Sequence, residues 1–338
     1  MLNMAVVGTG NWGRNLVRNF YEMEEANLKI CCDLNEALLS KIREKYPLVK
    51  ITTDYDEVLR NEEIEAVVIA TSTSTHFDLA KKALEAKKHI FVEKPFTVSY
   101  KQAQELVNLA KEKKKKLMVG HLLEYHPAVI EMKRRLSQNE IGDVYYLYSE
   151  RLNLGKVRTM ENALWSLAPH DISVMLYLLN SEPVEVSAYG GVFLQRKEKI
   201  EDVVFVNTRL ENGVVANFHL SWLDPNKVRR ITLVGSEKMM VFDDMESRDK
   251  LKIFDKELIR NNLKDGVEFN IRYGDIYVPK IEVSEPLKLE CLHFIDCIKN
   301  NKTPRSDGED GLRVVRILGA AQESLDKGGM PVRMKENE

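Results

Sequence analysis

The first 120 residues alternate between two periodicities, and that alternation restricts the fold more than any other feature. The runs "MAVVG", "KICCD", "EAVVIAT", "HIFVEKP" and "KLMVG" are almost continuously apolar. The stretches between them, such as "NEALLSKIREKY", "THFDLAKKALEAK" and "SYKQAQELVNLAKEK", place apolar residues at helical spacing. A strand that is apolar on both faces must be covered on both, and a parallel sheet wrapped by its own crossover helices achieves this. Residues 1–120 are therefore expected to form a doubly wound α/β domain.

Beyond a helical stretch near 127–138 the pattern changes. Strand-like runs are expected at 143–152, 184–194, 202–211, 214–223, 228–235 and 239–243, with helices around 165–180, 286–300 and 308–327. In "VVANFHLSW", Val214, Ala216, Phe218, Leu220 and Trp222 alternate with Val215, Asn217, His219 and Ser221, the period-two signature of a strand with one wetter face. Residues 121–338 thus read as a second, α+β domain with a large, mostly antiparallel sheet. A chain of 338 residues with 44% hydrophobic and 30% charged content is long enough for two such cores.

Charge excludes some classes of function. The formal net charge is −2 with both signs interspersed, so no nucleic-acid face is expected. The run "KEKKKK" at 111–116 follows a helical pattern, where cations suit a C-terminus. Cys31, Cys32, Cys291 and Cys297 show no metal-ligand or redox spacing, which fits a reduced, cytoplasmic location. "MLNMAVVGTG" runs straight into a strand and glycine loop with no basic region or cleavage site, and no apolar run is long enough to span a bilayer, so neither secretion nor membrane insertion is expected. The histidines are dispersed, and no metal set is expected.

In "VVGTGNWG", Gly8, Gly10 and Gly13 stand in GxGxxG spacing between a strand and a helix. The first permits a tight turn, the second lets the backbone approach a pyrophosphate, and the third allows close helix–strand packing. Asp33 closes the next strand about twenty residues on, where a carboxylate would hydrogen-bond the adenosine ribose diol. That carboxylate would repel a 2′-phosphate, so NAD is favoured over NADP. Asn11 and Trp12 inside the loop, and Thr71 and His76 after a later strand, are further candidates for contact with the cofactor.

Together with the glycine loop, the segments "EKP", "VIATSTSTHFDLAKKAL" and "LWSLAPHDISVMLYLL" resemble the glucose-fructose oxidoreductase, inositol dehydrogenase and MocA family over nearly the whole chain. The resemblance implies an N-terminal Rossmann domain followed by a domain with an open sheet, NAD(P)-dependent oxidation or reduction at a sugar or cyclitol carbinol, and homodimers or homotetramers packed through the C-terminal sheet. It also implies that Lys94 points at the reacting hydroxyl, that Glu93 lies near the nicotinamide, that Pro95 follows a cis bond, and that His170 contacts the same hydroxyl. A lysine suits that place because hydride removal requires the hydroxyl proton to leave, and desolvation beside a cationic ring lowers the amine's pKa. Many family members carry an aspartate four residues before the histidine, whereas this chain has Ser166, so the proton relay must differ or lean more on Lys94. Asp171 is read as structural.

The wording "RLNLGKVRTMENALWSLAPHDIS" resembles a subgroup acting on nucleotide-activated amino sugars, especially UDP-N-acetylglucosamine 3-dehydrogenases. On that resemblance Arg151, Lys156 and Arg158 would meet a pyrophosphate or uronate, and Asn162 would offer a donor and an acceptor to a sugar. "GHLLEYHP" places Tyr125, His121 and His126 where a cleft could be lined. The expected function is oxidation of a sugar hydroxyl, at C3, of a UDP-N-acetylhexosamine or its uronate. Oxidation of inositol or another free sugar, and an NAD-dependent glycoside hydrolase on the same fold, are the alternatives; a dinucleotide-sensing regulator would leave Lys94 and His170 without a purpose.

Overall fold

The computed structural model describes residues 1–263 and 266–334, which divide into two compact units. The first opens with β1 (Leu2–Val7), α1 (Gly13–Glu22), β2 (Ala26–Cys32), α2 (Glu36–Lys45), β3 (Lys50–Thr52), α3 (Tyr55–Arg60), β4 (Ala66–Ile69), α4 (Thr73–Glu85), β5 (His89–Glu93), α5 (Tyr100–Lys113) and β6 (Leu117–Gly120). Its strands form a six-stranded parallel sheet in the order β3-β2-β1-β4-β5-β6, with the reversal of direction between β1 and β4. In such sheets ligands bind outside the carboxyl ends of the strands at that switch point. β3 and α3 were not expected, being too short to display a period.

Local signals set the helix ends. The Asn35 side chain accepts from the amides of Ala37 and Leu38 to start α2, and Ser99 accepts from Gln102 to start α5. Helix α5 stops at Lys114, which adopts a left-handed conformation with φ 54°, and Lys111 and Lys113 occupy its last turn. The lysine run is therefore a helix terminus.

The second unit continues with α6 (Pro127–Ser137), β7 (Val144–Leu154), α7 (Ala163–Leu179), β8 (Pro183–Gly191), β9 (Val203–Leu210), β10 (Val215–Ser221), β11 (Leu223–Gly235), β12 (Met239–Asp243), β13 (Leu251–Leu263) and β14 (Gly266–Tyr277). Among the described residues these strands and a short C-terminal one form a nine-stranded sheet that is antiparallel except where β10 meets β7. The alternation in "VVANFHLSW" holds, since Val214, Ala216, Phe218, Leu220 and Trp222 are all buried. The β13–β14 hairpin lies outside the strands expected from sequence, although Val267, Phe269, Ile271 and Tyr273 alternate there with Glu268, Asn270 and Arg272. β12 pairs only with Leu251–Phe254 of β13, whereas β13 and β14 stay paired out to Leu263 and Gly266, so the outer part is a two-stranded ribbon.

A single domain boundary near residue 120 does not describe this chain. After Val283 it returns to the first unit for Ser284–Arg316, through α8 (Pro286–Lys299) and the start of α9 (Gly308–Asp326), and re-enters the second unit at Ile317 before β15 (Val332–Arg333). The reason is apolar burial. Leu287, Cys291, Phe294 and Ile295 of α8 join Met4, Val6, Leu16, Phe20, Val68, Phe91 and Met118 in one core, and the Phe91 and Phe294 rings meet edge to face with centroids 5.7 Å apart. Removing a fully buried phenyl ring costs about 3–5 kcal/mol through lost transfer energy and the cavity left behind, against a total stability of roughly 5–15 kcal/mol. Phe294→Ala is thus expected to destabilise the first unit by about 3–5 kcal/mol, read as a fall in the urea midpoint at unchanged slope. A change under about 1 kcal/mol would show that α8 is not part of that core.

Candidate active site

The glycine loop is built by steric exclusion. Gly8 has φ +89°, and a Cβ there would lie 2.7 Å from the Ala70 carbonyl. A Cβ on Gly13 would sit 1.9 Å from the Gly8 carbonyl oxygen, so α1 can approach β1 this closely only with glycine at that position. A Cβ on Gly10, by contrast, would meet no described atom within 4 Å, so its backbone faces open space. Asn11 and Trp12 are exposed beside it. Asp33, just past β2, accepts from the Thr9 amide at 2.6 Å and hydroxyl at 3.1 Å through one oxygen and from the Asn35 amide at 2.9 Å through the other. An open backbone at a helix N-terminus, with a carboxylate beside it, fits a dinucleotide's pyrophosphate and ribose.

The "EKP" segment closes β5. Glu93 is buried, and one carboxyl oxygen accepts from the Trp12 indole N–H at 2.6 Å. The other faces the Lys94 amide at 3.3 Å. Burial pushes the Glu93 carboxyl up to about 7, against the lowering effect of the indole hydrogen bond and of the Lys94 charge. Gly120 pairs with Glu93 across β6, and a Cβ on it would stand 3.0 Å from that carboxylate, so glycine leaves the room in which Glu93 sits. Lys94 is half-buried and its bond to Pro95 is cis. His76 is buried, with Nδ1 2.9 Å from the Pro95 carbonyl and Nε2 3.2 Å from that of Thr71. Burial lowers its pKa, and a neutral ring has a single N–H, so it donates to one of these two carbonyls and packs against the other. The Thr71 hydroxyl meets that of Thr75 at 2.7 Å.

In the second unit, α7 carries Ser166 and His170. Asn162 starts this helix by accepting from the Trp165 amide, so it begins well before His170, which lies within α7 rather than opening it. Four residues apart, Ser166 and His170 share one helix face, and both are half-buried. Asp171 points elsewhere, as expected. It accepts from Arg151 Nε at 2.6 Å and Nη2 at 3.1 Å and from the Ser149 hydroxyl at 2.7 Å.

That arrangement changes several expectations. Arg151 is buried with its charge already matched by Asp171, so the cations left for an anionic ligand are Lys156 and Arg158, both exposed in the loop between β7 and α7. The amide nitrogen of Asn162 donates to Glu201 at 2.7 Å and to Gln322 at 2.9 Å, which occupies the group expected to meet a sugar. Tyr125 is buried with its hydroxyl 3.0 Å from that of Ser306 and lines no opening. His126 caps α6 through the Ala128 amide. His121 stands with Glu124 and Asp310, their ligand-type atoms all within 4.8 Å of one another. Sequence spacing could not show this set, because Asp310 is 189 positions from His121.

Glycine loop, Asp33 and a lysine closing the fifth strand define an NAD-binding oxidoreductase. Comparison with known proteins narrows the class. Residues 2–121 match the model of the oxidoreductase family with an NAD-binding Rossmann fold, and residues 129–241 match the GFO/IDH/MocA C-terminal domain. The chain belongs to the GFO/IDH/MocA family, and its cofactor is NAD. It is 26% identical to the NAD-dependent scyllo-inositol 2-dehydrogenase of Bacillus subtilis over 98% of this chain and 95% of that one. It is 34% identical to the UDP-N-acetylglucosamine 3-dehydrogenase of Acidithiobacillus ferrooxidans over 54% of this chain and 56% of that one. A solved structure of the latter superposes with a TM-score of 0.81 at 25% identity, covering 97% of this chain and 98% of that chain.

The two glycines make a paired prediction. Gly10→Ala meets no neighbour and should leave the melting temperature unchanged while weakening NAD binding about tenfold or more, because a methyl group would stand between the backbone and the pyrophosphate. Gly13→Ala should lower both stability and affinity. Calorimetric titration with NAD beside thermal unfolding separates the two, and a Gly10→Ala protein that binds NAD normally would remove Gly10 from the cofactor site.

Proposed function

We propose that this chain oxidises a sugar hydroxyl, at C3, of a UDP-N-acetylhexosamine or its uronate, with NAD as the hydride acceptor. The observation that carries the reading is Lys94 at the carboxyl end of β5, half-buried and beside the buried Glu93 that the glycine loop holds through Trp12. Lys94 receives the hydroxyl proton, and His170 orients the hydroxyl. Ser166 brings no carboxylate to the imidazole, so the amine carries most of the proton transfer. Lys156 and Arg158 supply the charge that meets a pyrophosphate, and because both are exposed, substrate affinity falls as salt rises. The 34% identity to a UDP-N-acetylglucosamine 3-dehydrogenase supports this substrate class. Inositol is the second reading, supported by similarity to inositol dehydrogenases over nearly the full chain.

Self-association belongs to the same proposal. The β13–β14 ribbon places Leu258, Val267, Phe269, Ile271 and Tyr273 on one face, all exposed, with Lys256, Arg260 and Asn262 between them. A two-stranded ribbon is marginal in water without a surface to pack on, and an apolar stripe of this kind marks a contact. We assign it to a second copy of the chain, joined through the C-terminal sheet. The reduced state of four free, buried cysteines agrees with a cytoplasmic enzyme.

Two experiments test these readings. With NAD and a panel of UDP-sugars and inositols, NADH absorbance should rise with a UDP-N-acetylhexosamine or its uronate. Lys94→Met should abolish most of that turnover with NAD affinity nearly intact, and His170→Asn should lower it about 10²-fold. Efficient turnover of myo-inositol with no response to UDP-sugars moves the enzyme to the second reading, and hydrolysis without net NADH to the hydrolase alternative. For the ribbon, Phe269→Asp with Ile271→Lys should shift the protein from dimer or tetramer to a smaller species in sedimentation; an unchanged mass places the interface elsewhere.

A further inference from the structure

Behind the "EKP" strand the first unit buries more negative charge than it visibly compensates. Glu93, Glu124, Glu290 and Asp310 are all buried, and so is His121. His121 Nδ1 lies 2.8 Å from Asp310 Oδ2 and 3.4 Å from Glu124 Oε1. Asp310 has a second cation at longer range, Arg313 Nη1 at 3.9 Å from its other oxygen, and Lys94 stands beside Glu93. Glu290, on α8, is fully buried, its carboxyl pushed well above the usual range by burial and by the charges of Glu93 and Glu124, and among the described residues neither of its carboxyl oxygens has a hydrogen-bond partner. Glu124 Oε1 and His121 Nε2 are likewise buried without one.

A buried carboxylate without a partner costs several kcal/mol relative to water unless something positive neutralises it. Several such groups converging on one point imply either protons or a bound cation. The donor geometry favours a cation. His121 Nδ1 and one oxygen each from Glu124 and Asp310 lie within 4.8 Å of one another, so all three can reach a common centre. Bonds from such a centre to imidazole nitrogen and carboxylate oxygen are about 2.0–2.2 Å, which sets their atoms roughly 3–3.5 Å apart, within a small shift of what is seen. Glu290 is not a member of that set; it is a further buried, unpartnered acid within electrostatic reach of Glu124. One imidazole with carboxylates suits zinc or another first-row divalent ion better than magnesium or calcium, which take oxygen-only sets.

We propose that His121, Glu124 and Asp310 form a buried structural site for a divalent transition-metal ion. Its ligands come from the segment after β6 and from α9. The ion would therefore fasten the returning segment Ser284–Arg316 onto the parallel sheet, one residue beyond the Gly120 that pairs with Glu93. The proposal is independent of the substrate, because its readout is metal content and stability.

The test uses the full-length protein, untagged and dialysed against metal-free buffer. Elemental analysis should find about one equivalent of zinc, or of another first-row metal, per chain. EDTA should lower the melting temperature by at least about 2–4 °C, the shift a kcal/mol-sized loss makes in a domain of this size, and Zn²⁺ should restore it. Glu124→Gln, nearly isosteric, should lose the metal and the response to EDTA. Asp310→Asn provides a second variant should Glu124→Gln fail to fold, and should likewise lose the metal. Wild-type protein that is free of metal, with a melting temperature that neither EDTA nor Zn²⁺ moves, overturns the proposal. So does a Glu124→Gln protein that is more stable than wild type above pH 8, since that outcome assigns the neutralising charge to protons.

Discussion

The hydrogen bond from the Trp12 indole to Glu93, 2.6 Å long, is the contact on which the arrangement of the first unit's site depends. It joins the glycine loop at the end of β1 to the residue before Lys94 at the end of β5, two segments separated in the sheet by β4. Glu93 is buried although Trp12 is exposed, and a buried carboxyl without a donor is costly, so the bond favours keeping both segments in register. Gly120 makes the space and His76 braces the far side through Pro95 and Thr71. Movement of the cofactor loop is therefore coupled to the position of the lysine.

In the second unit the same economy appears with opposite charge. Arg151, Asp171 and Ser149 form a closed set beneath α7, and Asn162 divides its donors and acceptor among Glu201, Gln322 and the helix start. Truncating one partner of a buried ion pair leaves an uncompensated charge and costs about 3–5 kcal/mol. Arg151 and Asp171 thus hold α7 against β7, and through α7 they fix the face that presents Ser166 and His170.

Much of this was legible in the sequence, for identifiable reasons. The parallel sheet was readable because strands such as "AVVI" are buried on both faces and leave no ambiguity of period. The glycine loop was readable because its spacing reflects steric contacts that only glycine tolerates, at Gly8 and Gly13. The roles of Arg151, Asn162 and Tyr125 were not, since a polar residue near a motif has the same appearance whether its partner is a ligand or a buried side chain far along the chain. Ser306, the partner of Tyr125, is 181 positions away. The return of Ser284–Arg316 was hidden for the same reason: the helical period of α8 reveals an apolar face but not the surface that the face covers.

The distribution of charge bears on how an anionic substrate can be selected. With Arg151 committed to Asp171, the cations in the β7–α7 loop are exposed, and an exposed pair contributes only about 0–1 kcal/mol in water. Arg158 is further tempered by Glu161, 3.8 Å from its Nε. Under the proposed function such groups would steer a doubly charged pyrophosphate toward the loop more than hold it, raising the rate of association and its dependence on salt. Discrimination among sugars then has to come from groups that lose water on binding. In the first unit the half-buried Lys94 is such a group, where an unsatisfied polar contact carries its full desolvation cost.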